Sequence, residues 1–173
     1  MGLRQLRKED DEILRKKARP IKEINANVLA LLDDMMETLV ALDGVGLAAP
    51  QIGVLKRVAV VAHEDEVYEL INPEIVATDG SQICNEACLS VPGRCGDIER
   101  PMEVTVKALN RDGEEFTVVV DDFMASVFCH EIDHLDGVLF VDNATNMRFI
   151  DDEEVQQRKK ARRRRREERN NRQ

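Results

Sequence analysis

The 173-residue chain has no tryptophan, and only 3% of its residues are aromatic. Its core must therefore be packed from Leu, Ile, Val, Met and Ala. An apolar content of 43% allows an ordinary core, and the length suits one domain. No apolar run reaches the ~18 residues that mark a membrane-spanning helix. The opening residues, MGLRQLRKEDDEILRKKARP, lack the apolar stretch of a secretory signal, and their acids argue against a transit peptide. Leu6 stands where a myristoylation signal needs Ser or Thr. The expectation is a cytoplasmic protein with no membrane segment.

Charge is present in quantity but unevenly. The net charge is −9, yet residues 158–173 hold ten Lys/Arg and two Glu, a local +8. The other 157 residues then hold 15 basic and 32 acidic side chains, a net of −17. An acidic body argues against nonspecific nucleic-acid binding, whereas a basic block seeks phosphate. The alternative for this block is a solvated extension.

Residues 130–137 read HEIDHLDG. His130 and His134 are four apart, so on a helix both imidazoles leave one face and can chelate one metal ion. Glu131 sits about 100° round the helix. There it is placed to carry the proton of a water activated by the metal. A catalytic site of this type needs a third protein donor and an open fourth position. Cys88, in the run NEACLS, is the candidate upstream. Cys84 allows a rival reading, a closed Cys-x3-Cys and His-x3-His zinc site. Against it, 41 residues separate Cys88 from His130, far more than the roughly 12–15 of a zinc finger. Cys129 is expected to pack as a small apolar residue.

Apolar positions at 28, 31, 32, 35, 36, 39 and 40 predict a core-facing helix, capped by Asn25 or Asn27 and stopped by Gly44. Strands are expected at 57–62, 67–71, 74–78, 102–110 and 115–120, with turns at Asp79-Gly80 and Arg111-Asp112-Gly113. Asp121 or Asp122 should cap the helix that carries the two histidines, and Gly137 should end it. Residues 139–141 suggest a short last strand, and a polar helix is expected from Asp151. Past Val155 that helix has no apolar face to dock. Strands joined by hairpins around one site helix argue for an α+β fold.

Three runs in this order, GVGLAAPQ at 44–51, EACLS at 86–90 and HEIDHLDG at 130–137, resemble the peptide deformylases. Ser90-Val91-Pro92-Gly93, Gly96 and Arg100-Pro101 look like the family's continuation, and the resemblance covers roughly residues 10–150. It implies antiparallel sheets around a central HExxH helix. A catalytic domain is expected at 1–150, with a charged tail, helical or disordered, at 151–173. It also implies a bacterial-type metal-dependent hydrolase that removes the formyl group from N-terminal formylmethionine of nascent polypeptides. Cys88, His130 and His134 would hold one divalent ion, Fe2+ or else Zn2+, with Glu131 as proton carrier. The Gln51 amide and the Leu89 backbone N–H would face the oxyanion. Gly46 would pair with the peptide backbone, and Val45 and Val127 would wall the methionine pocket. Gly44 is read as a turn residue, Glu86 as a buried support for the loop and Arg100 as its partner. The tail would dock on the ribosome, and the oligomeric state is left open. The one departure is Ala87, where the family has glycine. A methyl group there costs about 1 kcal/mol or more if φ is positive, and it would narrow the groove. The competing readings are an HExxH metallopeptidase and an inactive deformylase-like binding protein.

Overall fold

The computed structural model describes the backbone of residues 2–170 and the side chains of residues 2–161 and 164. Eleven main elements follow in chain order among them. They are α1 (Ala26–Ala41), β1 (Gly46–Ala48), β2 (Val58–His63), β3 (Glu66–Asp79), β4 (Gln82–Cys88), β5 (Val91–Arg100), β6 (Glu103–Leu109), β7 (Glu115–Asp121), α2 (Asp122–Leu135), β8 (Thr145–Phe149) and α3 (Asp152–Asn170). All strand pairs within the sheets are antiparallel. One sheet has the order β1-β2-β3-β6-β7 and the other β4-β5-β8.

The larger sheet is apolar on both faces because a helix covers each. Val58 and Val60 of β2 pack with Leu31, Leu32, Met35 and Leu39 of α1. Their neighbours Ala59 and Val61 face the other way, onto Phe128, Ile132 and Leu135 of α2. Each such Leu, Ile or Phe, fully buried, contributes roughly 1.5–3 kcal/mol. Helix α2 also touches β4 and β5. It therefore runs between the two sheets, and the fold is α+β with the HExxH segment on its central helix.

Several boundaries differ from the sequence reading. Asn25 does cap α1, accepting bonds from Asn27 and Val28 amides. The left-handed residue that closes α1 is Asp43 (φ 54), not Gly44. The two strands expected around Pro73 are one, β3, interrupted by a bulge at Asn72 (φ 52). Residues 140–142 form a 3-10 turn in place of a last strand. Among the described residues no helix is long and apolar enough to cross a membrane. Helix α3 begins where a polar helix was expected. The end of the basic block, residues 171–173, lies outside the described residues.

Candidate active site

Helix α2 presents His130 and His134 one turn apart, their ring centroids 4.8 Å apart. Cys88 ends β4 with its side chain on the inner face of that strand, 8% exposed. Its Sγ lies 3.2 Å from His134 Nε2, which lies 3.2 Å from His130 Nε2. The three donor atoms fall within 4.8 Å of one another, and among the described residues they form the one group that could hold a metal ion. Three electron-pair donors brought this close in a buried place want a shared cation. One sulfur and two imidazoles suit zinc or ferrous iron. Cys84 is not in the group. It lies four residues back on β4, roughly 13 Å along an extended strand, so the closed four-ligand site does not form.

A buried network sets the ring of His130. Its Nδ1 donates to Glu86 Oε2 at 2.8 Å. Glu86 also accepts from Arg100 Nε (2.8 Å) and Nη2 (3.1 Å) and from Ser126 Oγ (2.9 Å). Burial alone would raise the Glu86 pKa, but His130 and Arg100 outweigh it and bring the group down to about 2. Arg100 also donates to Asp133 at 2.7 Å. Burial lowers the pKa of His134, helped by the charge of His130. For His130 burial acts the same way, but Cys88 and Glu86 reverse it and the pKa is raised. With Glu86 on Nδ1, the Nε2 of His130 is left to face Cys88 and His134.

Glu131 is 4% exposed, and its Oε2 has no hydrogen-bond partner among the described residues. Burial is the main reason that its pKa rises to about 7. A Cβ on Gly46 would collide with Glu131 Oε1, so only glycine lets β1 pass this close to the carboxylate. Gln51 is held by the backbone three residues before it: Oε1 accepts from the Ala48 amide at 2.8 Å. Its Nε2 then donates to Ser90 Oγ at 3.2 Å and lies 3.6 Å from Cys88 Sγ. Lys8 binds the Leu89 carbonyl at 3.0 Å. Ser126 and Lys8 are not singled out by the sequence, and Ser90 stands there only within the run that resembles the family. Of the other two, Ser126 has a signal, four residues before His130 on one helix face.

Strand β1 pairs only with β2 and β4 only with β5, so each keeps one edge without a strand partner. Gly44 lies against Leu39 and Leu89, and a Cβ there would sit 2.5 Å from Leu39 Cδ1. The two edges thus approach across the Cys88 turn and leave a groove that ends at Glu131. Val127, 9% exposed, and Val45 belong to one apolar cluster beside it. Ala87 is not among the residues with positive φ, and its side chain lies on the exposed face of β4. The condition for strain, a positive φ, is therefore not met, and the ground for an inactive protein falls with it. Ala87→Gly should lower stability by at most about 0.5–1 kcal/mol, the backbone entropy of glycine. Urea melts and kcat/KM for a formylated tripeptide check this; a several-fold change in kcat/KM would contradict it.

A helix-borne HExxH between antiparallel sheets, with a thiol as third donor and a buried carboxylate beside an open strand edge, defines a metal-dependent hydrolase. The chain belongs to the polypeptide deformylase family, whose pattern matches residues 3–149. It is 52% identical over 153 residues to a peptide deformylase of Thermoanaerobacter pseudethanolicus, covering 88% of this chain and 95% of that one. With a peptide deformylase of Acetivibrio thermocellus it shares 53% identity over 153 residues, 88% of this chain and 89% of the other. Its fold matches the crystal structure of the Thermotoga maritima peptide deformylase with a TM-score of 0.81 at 37% identity, covering 84% and 99% of the two chains. A peptide deformylase of Acinetobacter baumannii with Met-Ala-Ser bound matches with a TM-score of 0.78 at 36% identity, covering 82% and 98%. The chain is thus a hydrolase of the family that removes the formyl group from nascent polypeptides.

Proposed function

We propose that residues 1–150 form the catalytic unit and that Cys88, His130 and His134 hold one divalent cation, ferrous iron or in its place zinc. The observation that carries this is the convergence of the three donor atoms within 4.8 Å beside a buried, half-unpartnered carboxylate. A bound cation supplies Lewis acidity, which makes a water nucleophilic near neutral pH. Glu131 takes the proton of that water as its oxygen attacks the formyl carbon. Glu131 then returns the proton to the amine as the C–N bond breaks, leaving formate and a free N-terminus. The Gln51 Nε2–H and the Leu89 N–H donate to the carbonyl oxygen as it gains charge. One such donor is worth roughly 10²–10³ in kcat. The peptide lies as an added strand along the open edge of β1 at Gly46, and Val45 and Val127 receive the methionine side chain. That a peptide deformylase of Acinetobacter baumannii has been solved with Met-Ala-Ser bound supports a peptide ligand of this kind.

The test is release of formate from formyl-Met-Ala-Ser by anaerobically prepared protein. Cleavage of peptide bonds instead would show a peptidase, and inactivity of metal-loaded protein would overturn the proposal. Cys88→Ser should lose metal and activity together, because a hydroxyl is a poor, protonated stand-in for a thiolate. Cys84→Ser should lose neither, as metal content by atomic absorption will show.

We place the protein in the cytoplasm and assign the basic tail, residues 158–173, a docking role on ribosomal RNA. The eight Lys/Arg beyond Lys159 should give binding that weakens steeply as salt rises. Full-length protein should co-sediment with ribosomes at low salt, and protein ending at Gln157 should not. Equal binding of both forms would remove the docking role.

A further inference from the structure

The first turns of α3 are docked on the outer face of the smaller sheet, and Lys159 reaches from there to the end of α1. Within residues 152–161, Glu154, Val155, Arg158 and Lys159 are partly buried and the others exposed. Offsets of one, four and five residues put these four on one side of the helix. Glu154 accepts from Arg148 of β8 at 2.7 and 2.8 Å. Arg158 Nη2 donates to Asn85 Oδ1 of β4 at 3.0 Å and lies 3.8 Å from Cys95 Sγ of β5. Lys159 Nζ donates to the Leu42 carbonyl, at the end of α1, at 3.0 Å. The helix therefore crosses the smaller sheet from β8 to β4 and then reaches over to the other rim. Leu42 stands two residues before Gly44, and Asn85 three before Cys88. The metal end of the groove is marked by Gln51, Cys88 and Glu131, so Leu42, further back along the β1 side, stands toward its far end. From Gly46 back to Leu42 is at most about 13 Å of chain at roughly 3.3 Å per residue. An extended peptide covers that length in three to four residues.

Lys159 thus stands at the rim toward which the downstream part of a substrate would run, whereas Arg158 lies on the outer face of β4. They are not equivalent. Arg158 shares its charge with Glu154, bonded at 2.8 Å. Lys159 rests on a neutral carbonyl and, among the described residues, forms no ion pair. We propose that Lys159 is a specificity-determining residue of the deformylation reaction: it favours formylated peptides with an acidic side chain at the third or fourth residue and disfavours basic ones. This rests on the deformylase reading and adds a downstream preference to it. With Lys159 removed, the preference should vanish.

The experiment compares formyl-Met-Ala-Xaa-Ala and formyl-Met-Ala-Ala-Xaa, with Glu, Ala or Lys at Xaa, using the metal-loaded full chain. Formyl-Met-Ala, which ends before the rim, is the control. Opposite attraction and like-charge repulsion at an exposed site together give roughly three- to tenfold in kcat/KM for Glu over Lys. The preference should appear at one of the two positions, lie in KM with kcat unchanged, and shrink at high salt. Lys159→Gln should abolish it and Lys159→Glu should invert it, with formyl-Met-Ala turned over as before. A wild-type protein with no preference at either position overturns the proposal. So does a preference that survives Lys159→Glu, or a Lys159→Gln variant that also loses formyl-Met-Ala turnover. Failure of the wild type on formyl-Met-Ala would instead strike at the deformylase reading itself.

Discussion

Glu131→Gln should lower kcat for deformylation by roughly 10²–10⁴ while leaving metal content unchanged. Losing a positioned proton-transfer group has that effect. Gln keeps the volume of the side chain but can neither take a proton from water nor pass one to the amine. The metal should stay because the three ligating atoms belong to Cys88, His130 and His134, and Glu131 is not in that group. The fold should hold as well. Glu131 is buried with one oxygen unpartnered among the described residues, so removing its charge leaves no broken ion pair. Single-turnover rates, metal analysis and a thermal melt on the same preparation check the three parts. Metal lost together with activity would make Glu131 a ligand, and the proton-carrier assignment would fall.

How much of this was legible beforehand depended on where the physical signal was local. The helices α1 and α2 announced themselves, because a stripe at spacings of three and four repeats over several turns. The donor group was legible for the same reason: two of its atoms are one helical turn apart. Strands β4 and β5, which were not read as strands, carry their pattern inside out. On β4 the apolar Ile83 is exposed while Glu86 is buried, since the inner face serves His130 and Arg100 and not the core. A polar residue that is needed at a site erases the alternation that would reveal the strand. Strand β8 is exposed throughout, so no face could show. In sequence Gly44 reads as a helix stop, but Asp43 takes the left-handed turn. Glycine is needed at 44 for the close approach of Leu39 and Leu89, a contact that spans 45 residues of sequence in the case of Leu89. The docking of α3 was invisible because it uses hydrogen bonds from Arg158 and Lys159, where an apolar stripe was the signal sought.

Glu86→Ala should cost both stability and metal, the largest structural loss expected from a single residue that is not a ligand. Four interactions end in that carboxylate: two nitrogens of Arg100, the Ser126 hydroxyl and His130 Nδ1. The Arg100 and Glu86 side chains are 9% and 7% exposed, so deleting the acid strands a buried guanidinium with only Asp133 beside it. Breaking a buried pair from one side costs roughly 3–5 kcal/mol. Metal affinity should fall roughly 10–100-fold, because His130 loses the acceptor that fixes its ring. The Glu86 pKa is lowered to about 2 from 4.5. The stabilisation it gives is therefore complete above about pH 4.5 and drains away as pH falls toward 2; Glu86→Ala should lack this acid-side slope. Pairing the change with Arg100→Met separates the causes. The double variant removes the stranded charge and should regain much of the stability, since an apolar side chain of similar size suits the cavity. It should not regain the metal, because nothing then orients His130. Urea melts of metal-free protein and competitive chelation of metal-loaded protein read the two quantities apart. If the double variant recovers both, Glu86 serves only to neutralise Arg100. If it recovers neither, the carboxylate holds the 86–90 loop as well as the ring.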